Sequence, residues 1–246
     1  MSQTSLQTLL DYLADGSSKL FVANPERVTE KLTAIVADGS DAFHVISDFD
    51  MTMTRYWVPS KPDSKSPAIH DGRERSVSSH GVLTRSSRVT PEWRAQTEGL
   101  YKHYYPYEIS HTLPHAEKVK AMEEWWTKAH ELIIGLGLTK KDFETICRET
   151  PVAFRSGVEQ LIASCEAQKI PVLVFSAGLA DVIEEILRQS SLLTPNMHVV
   201  SNRLHFDPVT GRADSFAGRL IHTFNKNEAA ISGSGYAETI QGRRNV

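Results

Sequence analysis

Residues 43–54, FHVISDFDMTMT, decide the architecture of this 246-residue chain. The first half is apolar and breaks off at an acidic end. A short apolar run lying between helical stretches reads as a strand buried on both faces of a parallel sheet. Asp48 and Asp50 close the run, one residue apart. Side chains at i and i+2 of a strand point the same way, so the two carboxylates are expected to share a site. Neighbouring carboxylates suit a division of labour between an ionised nucleophile and a proton donor, with coupled titrations. Surface or capping residues can also produce such a pair, so its weight comes from the surrounding sequence.

Upstream, helical patterns cover residues 6–13 and 25–36, the second opened by Asn24 as N-cap and Pro25 at the first helical position. Downstream, residues 58–90 are rich in Pro, Ser, Lys, Arg and Gly, which predicts a long surface loop. Helical patterns then fill 91–104, 114–134 and 140–148 with almost no β-branched alternation, as an α-helical insert would. After Pro151 come a helix over 158–167, a strand PVLVFSAG over 171–178, a helix over 181–188, a strand MHVVS over 197–201 and a hairpin through DPVTG at 207–211. Strand and helix in turn predict an α/β fold with a mainly parallel sheet. Ligands of such sheets sit at the carboxyl ends of strands, where both DFDMTMT and FSAG fall. Ser176 in FSAG offers a hydroxyl beside backbone N–H groups that can hold phosphate oxygens, and Lys226 in FNKNE offers a point cation.

The D-x-D-x-T-x-T pattern of Asp48, Asp50, Thr52 and Thr54, followed in order by Ser176 and Lys226, resembles the motif set of the haloacid dehalogenase superfamily. ISDFDMTMTRY, YYPYEIS, EWWTKAHELI, VFSAGLADVIEEILRQ and LIHTFNKNE each resemble segments of the cytosolic pyrimidine 5′-nucleotidases, and the likeness runs from about Pro25 to Glu228. The resemblance implies a Rossmann-like core over 1–55 and 151–246 with a helical cap over 56–150. It implies that Asp48 attacks the phosphorus of a nucleoside 5′-monophosphate, that Asp50 is the acid–base, and that Ser176, the Ala177 backbone and Lys226 hold the phosphoryl oxygens. Mg²⁺ would bind the Asp48 carboxylate and the Asp50 backbone carbonyl. Glu108 in YYPYEIS would accept hydrogen bonds from the base, and Tyr104, Tyr105, Trp125 and Trp126 could offer a stacking face or simply build the cap core. Ala129 stands where relatives carry Ser, which removes a hydrogen bond that could tune base preference, including any use of a methylated guanine nucleotide.

The resemblance also implies a later strand ending in Gly-Asp-Ser-x-Gly-Asp, which would complete the magnesium site. The sequence ends QGRRNV about where that strand would begin, so an unpaired edge on the FHVISDFD strand, weak stability and impaired activity are expected. A phosphatase for another small phosphomonoester, or a non-catalytic nucleotide-binding remnant, are the alternatives.

A hydrophobic content of 40% is that of an ordinary globular protein, and a net charge of −3 offers no general attraction to nucleic acid or an anionic membrane. No run approaches a membrane span, the amino end lacks a signal-peptide pattern, and Cys147 and Cys165 are too few for a disulfide framework, so a cytoplasmic protein is expected. Oligomeric state is not legible. His111 and His115 lack a third ligand and have Pro114 between them, and SGSGYAE lacks the Lys-Ser/Thr pair of a phosphate-binding loop, so it reads as a helix terminus or loop.

Overall fold

The computed structural model describes residues 11, 22–60 and 71–245. The helix expected over 6–13 lies outside this range apart from Asp11. The expected helix at Asn24 is present as α1 (Pro25–Asp38), with the Asn24 side chain accepting a hydrogen bond from the Arg27 N–H at 3.0 Å.

The central sheet contains β1 (Phe43–Ser47), β4 (Val172–Leu179), β5 (Met197–Phe206), β6 (Ala213–Ala217) and β7 (Arg244–Asn245), in the order β6-β5-β4-β1-β7. β1 runs parallel to β4 with Val45, Ile46 and Ser47 opposite Val172, Leu173 and Val174. β4 runs parallel to β5, and β6 returns antiparallel across the expected hairpin. The fold is therefore α/β with a mostly parallel sheet. β4 is buried at every position but Ala177, as a strand covered on both faces must be. The helices beside it, α6 (Val158–Ala167) and α7 (Ala180–Gln189), bury Ile162, Val182, Ile183, Ile186 and Leu187 against it in one core.

The expected unpaired edge of β1 is corrected in part: β7 pairs with it, Phe43 opposite Arg244 and His44 opposite Asn245. His44 is further fixed by a 3.0 Å hydrogen bond between its Nδ1 and the Tyr236 hydroxyl, and the Tyr236 ring is fully buried. Tyr236 begins a short helix after Gly235, so SGSGYAE is a helix terminus as expected.

Between β1 and α6 lie β2 (Trp57–Pro59), β3 (Arg73–Arg75), α2 (Ser79–Arg85), α3 (Pro91–Ile109), α4 (His115–Ile134) and α5 (Lys140–Glu149). Of the loop expected over 58–90, residues 61–70 lie outside the described residues and the rest is corrected: β2 and β3 form an antiparallel pair, and Ser78 caps α2 by accepting from the Gly81 N–H at 3.1 Å. Apolar residues are sparse in this segment, but Val77, Val82, Leu83 and Val89 are all buried, so a few inward side chains anchor it. The helix expected to stop at Tyr104 instead continues through Pro106 to Ile109. Proline removes one backbone donor there, a local cost that packing of Tyr104 against Ala121 and Met122 outweighs.

On α4, His130 stacks on Phe216 of β6 at 3.6 Å between centroids and 7° between planes. Its Nε2 is buried without a hydrogen-bond partner, and burial, with nearby His80 adding to it, pushes its pKa down to about 3. Burial likewise lowers His80 to about 4. An unfolded chain takes up these protons near pH 6.5, whereas the folded one resists them. The stability that these two neutral histidines contribute is therefore fully present above about pH 6.5 and is lost as the pH falls toward the folded values. Urea midpoints should drop between about pH 6.5 and 5, and His130→Phe, which keeps the stack, should flatten that drop. Parallel pH profiles for the two proteins would contradict this.

Candidate active site

Asp48 is the first residue beyond β1, at the carboxyl edge of the sheet. Its Oδ1 accepts a 2.7 Å hydrogen bond from Lys226 Nζ, a contact across 178 positions. The pair is partly open to solvent, with the Lys226 side chain 25% and the Asp48 side chain 39% exposed. Thr52 Oγ1 reaches Asp48 Oδ2 at 3.5 Å, the long limit of a hydrogen bond.

Beyond Asp48 the chain makes a wide turn over Phe49–Met53 in which Met51 takes a left-handed φ of 62°. A non-glycine residue is strained there and must be held. The Met51 N–H donates to Thr54 Oγ1 at 2.8 Å, and Arg155 Nη2 donates to the Met51 carbonyl at 2.7 Å. Thr54 is fully buried, so the second threonine of the motif is a structural brace while the first faces Asp48. The strand expected over 43–50 accordingly ends early, and the two carboxylates diverge in their partners.

Asp50 turns to α2. Its Oδ1 accepts from the Ser79 N–H at 2.8 Å and its Oδ2 from the Ser79 hydroxyl at 2.7 Å. Burial raises the Asp50 carboxyl above the ordinary carboxylate range; the two Ser79 bonds oppose this, the Asp48 charge adds to it and Lys226 opposes it. A carboxyl so placed is suited to carry a proton.

Ser176, Ala177 and Gly178 lie where β4 breaks register with β5. Ser176 is buried, and its Oγ accepts from the Gly178 N–H at 3.0 Å. Lys226 Nζ lies 5.6 Å from the Phe175 ring centroid, which brings it beside this strand end. Asn202, on β5, staples the strand end to the segment leading to Lys226. Its amide donates to the carbonyls of Ala177 and Ile221, at 2.9 and 2.8 Å, and its Oδ1 accepts from the Ile221 N–H at 2.8 Å.

The helices over 91–134 close over the same edge. Trp126 Nε1 donates to the Ala177 carbonyl at 3.1 Å, and Glu108 Oε1 accepts from Thr223 Oγ1 at 2.9 Å, close in sequence to Lys226. Glu108 thus reaches the segment that carries the cation, not Asp48 itself. Tyr104 is buried, with its hydroxyl donating to Glu124 and accepting from Lys128, so it belongs to the helical core rather than to a base platform. Tyr101, Tyr105 and Tyr107 are exposed, with Tyr101 stacked on Tyr105 at 4.8 Å and set edge-on to Trp125. Sequence reading missed both Tyr101 and Ser79. Tyr101 sits a helical step before Tyr105, a spacing that could have pointed to it; nothing local marks Ser79.

No group of three or more His, Cys, Asp or Glu side chains poised for a metal occurs among the described residues. Asp48 Oδ2, with only its long contact to Thr52, is an available hard donor, whereas both Asp50 side-chain oxygens are engaged by Ser79. One carboxylate, a carbonyl and water suit a magnesium ion shared with a substrate phosphate, since Mg²⁺ keeps much of its water.

A strand-end aspartate pair, a lysine on the first carboxylate and a bulged serine strand, all at one edge of a parallel sheet, define a hydrolase of the haloacid dehalogenase type. The profile of the Pyrimidine 5′-nucleotidase (UMPH-1) family matches residues 66–246. The human 7-methylguanosine phosphate-specific 5′-nucleotidase is 37% identical over 92% of this chain and 71% of its own length. The Gallus gallus protein of that name is 36% identical over 93% and 74%. The crystal structure of cytosolic 5′-nucleotidase IIIB bound to cytidine superposes with a TM-score of 0.79 at 32% identity, covering 96% of this chain and 74% of that one. The chain belongs to the pyrimidine 5′-nucleotidase family. Among the described residues no helix is long and apolar enough to cross a membrane.

Proposed function

We propose that the protein is a magnesium-dependent, cytosolic 5′-nucleotidase that removes phosphate from nucleoside 5′-monophosphates through a phosphorylated Asp48. The observation that carries this is the Asp48–Lys226 contact at the mouth of the sheet, with Asp50 raised toward the protonated form beside it. Asp48 is the nucleophile. Asp50 protonates the departing ribose oxygen and then takes a proton from the water that hydrolyses the aspartyl phosphate. Lys226, the Ser176 hydroxyl and the Ala177 N–H hold the phosphoryl oxygens. Magnesium, held by the Asp48 carboxylate and the Asp50 carbonyl, would offset negative charge on the transferring group. On this assignment residues 56–150 act as the cap and the remainder as the core.

Glu108 is the residue for the base. A carboxylate accepts from an exocyclic amine, which cytosine has and uracil lacks, so CMP should be turned over faster than UMP. A second reading, 7-methylguanosine 5′-monophosphate, is favoured by the exposed Tyr101–Tyr105 stack and by the names of the relatives. N7-methylation makes the purine cationic, and cations are drawn to aromatic faces.

Phosphate release from CMP, UMP and 7-methylguanosine monophosphate, with and without magnesium, tests the assignment. Glu108→Ala should lower kcat/KM for the favoured nucleotide by about 10- to 100-fold while changing p-nitrophenyl phosphate turnover by less than about 3-fold. Equal losses on both substrates would remove Glu108 from base recognition, and absence of turnover by the parent with every nucleotide would overturn the function.

A further inference from the structure

We propose that Ser79 is a positioning residue that aims Asp50 for proton transfer, and that Gly178 is glycine so that the Ser79 hydroxyl can reach it. This deepens, and rests on, the assignment of Asp50 as the acid–base.

Ser79 is the first residue of α2 and is 1% exposed. Through its N–H and its hydroxyl it engages both Asp50 oxygens, at 2.8 and 2.7 Å. Each oxygen keeps a second lone pair, so the contact fixes the plane of the carboxyl without consuming the site that accepts or releases the working proton. The hydroxyl can rotate: it donates while Asp50 is ionised and can turn away when the proton arrives. Ser79 therefore orients Asp50.

Gly178 supplies the independent observation. A Cβ built there would overlap the Ser79 Oγ and would lie 3.2 Å from both the Ser79 Cβ and the Ser176 Oγ. Gly178 does not have a positive φ, so space and not backbone conformation calls for glycine. The strand end with the phosphate-binding serine is thus shaped around the side chain that holds the acid–base. The Gly178 carbonyl is itself pinned by Ser201 Oγ at 2.8 Å, which limits how far the strand could retreat.

The test compares two leaving groups. Ser79→Ala keeps the backbone bond to Asp50 and removes only the hydroxyl. Turnover of CMP should fall by about 10- to 100-fold, because both the departing ribose oxygen and the attacking water depend on Asp50. With p-nitrophenyl phosphate, the first-turnover burst of p-nitrophenolate, which needs no proton, should stay within about 3-fold of the parent while steady-state release falls. Gly178→Ala reaches the same contact from the other side but also crowds the Ser176 Oγ, so it should lower the burst as well, with the steady-state rate falling further. The double variant should be no worse than the poorer single one, since both remove one interaction. Equal losses of burst and steady-state rate would overturn the proposal and leave Ser79 a purely structural residue. Asp50→Asn in the same assay keeps the two claims apart. If it too spares neither phase selectively, it is the assignment of Asp50 that fails.

Discussion

Asp48→Asn is expected to abolish phosphate release from the favoured nucleotide, by more than about 10⁴-fold. Asparagine has nearly the same shape, so the wide turn and its bonds to Thr54 and Arg155 are untouched. What disappears is the anionic oxygen that would form the bond to phosphorus, and with it the charge that Lys226 faces at 2.7 Å. Because the Asp48 side chain is 39% exposed, folding should change little. The measurement is inorganic phosphate production in magnesium, paired with acid-quench trapping of phosphoprotein from a labelled nucleotide. The parent should give a trapped species and the variant none. Turnover by Asp48→Asn within about 10-fold of the parent would rule out attack by Asp48.

Lys226→Ala should cost about 10²- to 10³-fold in kcat, with a smaller change in KM if the cation acts mainly on charge that develops in the transition state. Lys226 stands close to Asp48 and lowers the Asp50 carboxyl, so its loss leaves two neighbouring carboxylates without their cation. The Asp50 carboxyl should rise further, moving the basic-form limb of the pH–rate profile upward. Lys226→Arg should restore only part of the rate, because a planar fork cannot replace a compact ammonium in the same space. Steady-state kinetics across pH separate these outcomes. A kcat unchanged in Lys226→Ala would mean that the cation serves only to balance Asp48 in the free protein.

The parts of the molecule legible in sequence are those that local chemistry dictates. Helix α1 follows from Asn24 and Pro25, and α5 from the reciprocal bonds of Thr139 and Asp142. β1 and β4 follow from apolar runs that stop at polar residues, and the hairpin after β5 follows from Asp207, whose Oδ1 accepts from both Val209 and Thr210 N–H groups. Pattern failed where sparse signals are rescued by packing. Residues 71–90 looked like loop because few of them are apolar, yet those few are buried. Pro106 looked like a helix end because its cost is local, whereas the compensating burial of Tyr104 is not. For Tyr104 the sequence left a stacking face and the cap core both open, and burial places it in the core.

From sequence alone came the α/β class, most of its elements outside residues 58–90 and the identity of Asp48, Asp50, Ser176, Lys226 and Glu108 as residues to watch. Spacing along a strand and side-chain chemistry single out Asp48, Asp50, Ser176 and Lys226, whereas Glu108 came from the resemblance of YYPYEIS to the family. Tertiary structure alone decided what each of them touches. Asp48 meets Lys226 across 178 positions, Asp50 meets Ser79 across 29, and Glu108 meets Thr223 across 115. Such pairings depend on how the sheet and the helices above it stack, and hydrophobic burial drives that stacking without recording the partners in any short stretch of sequence. The serine that holds the acid–base and the glycine that makes room for it were therefore invisible until the chain was folded.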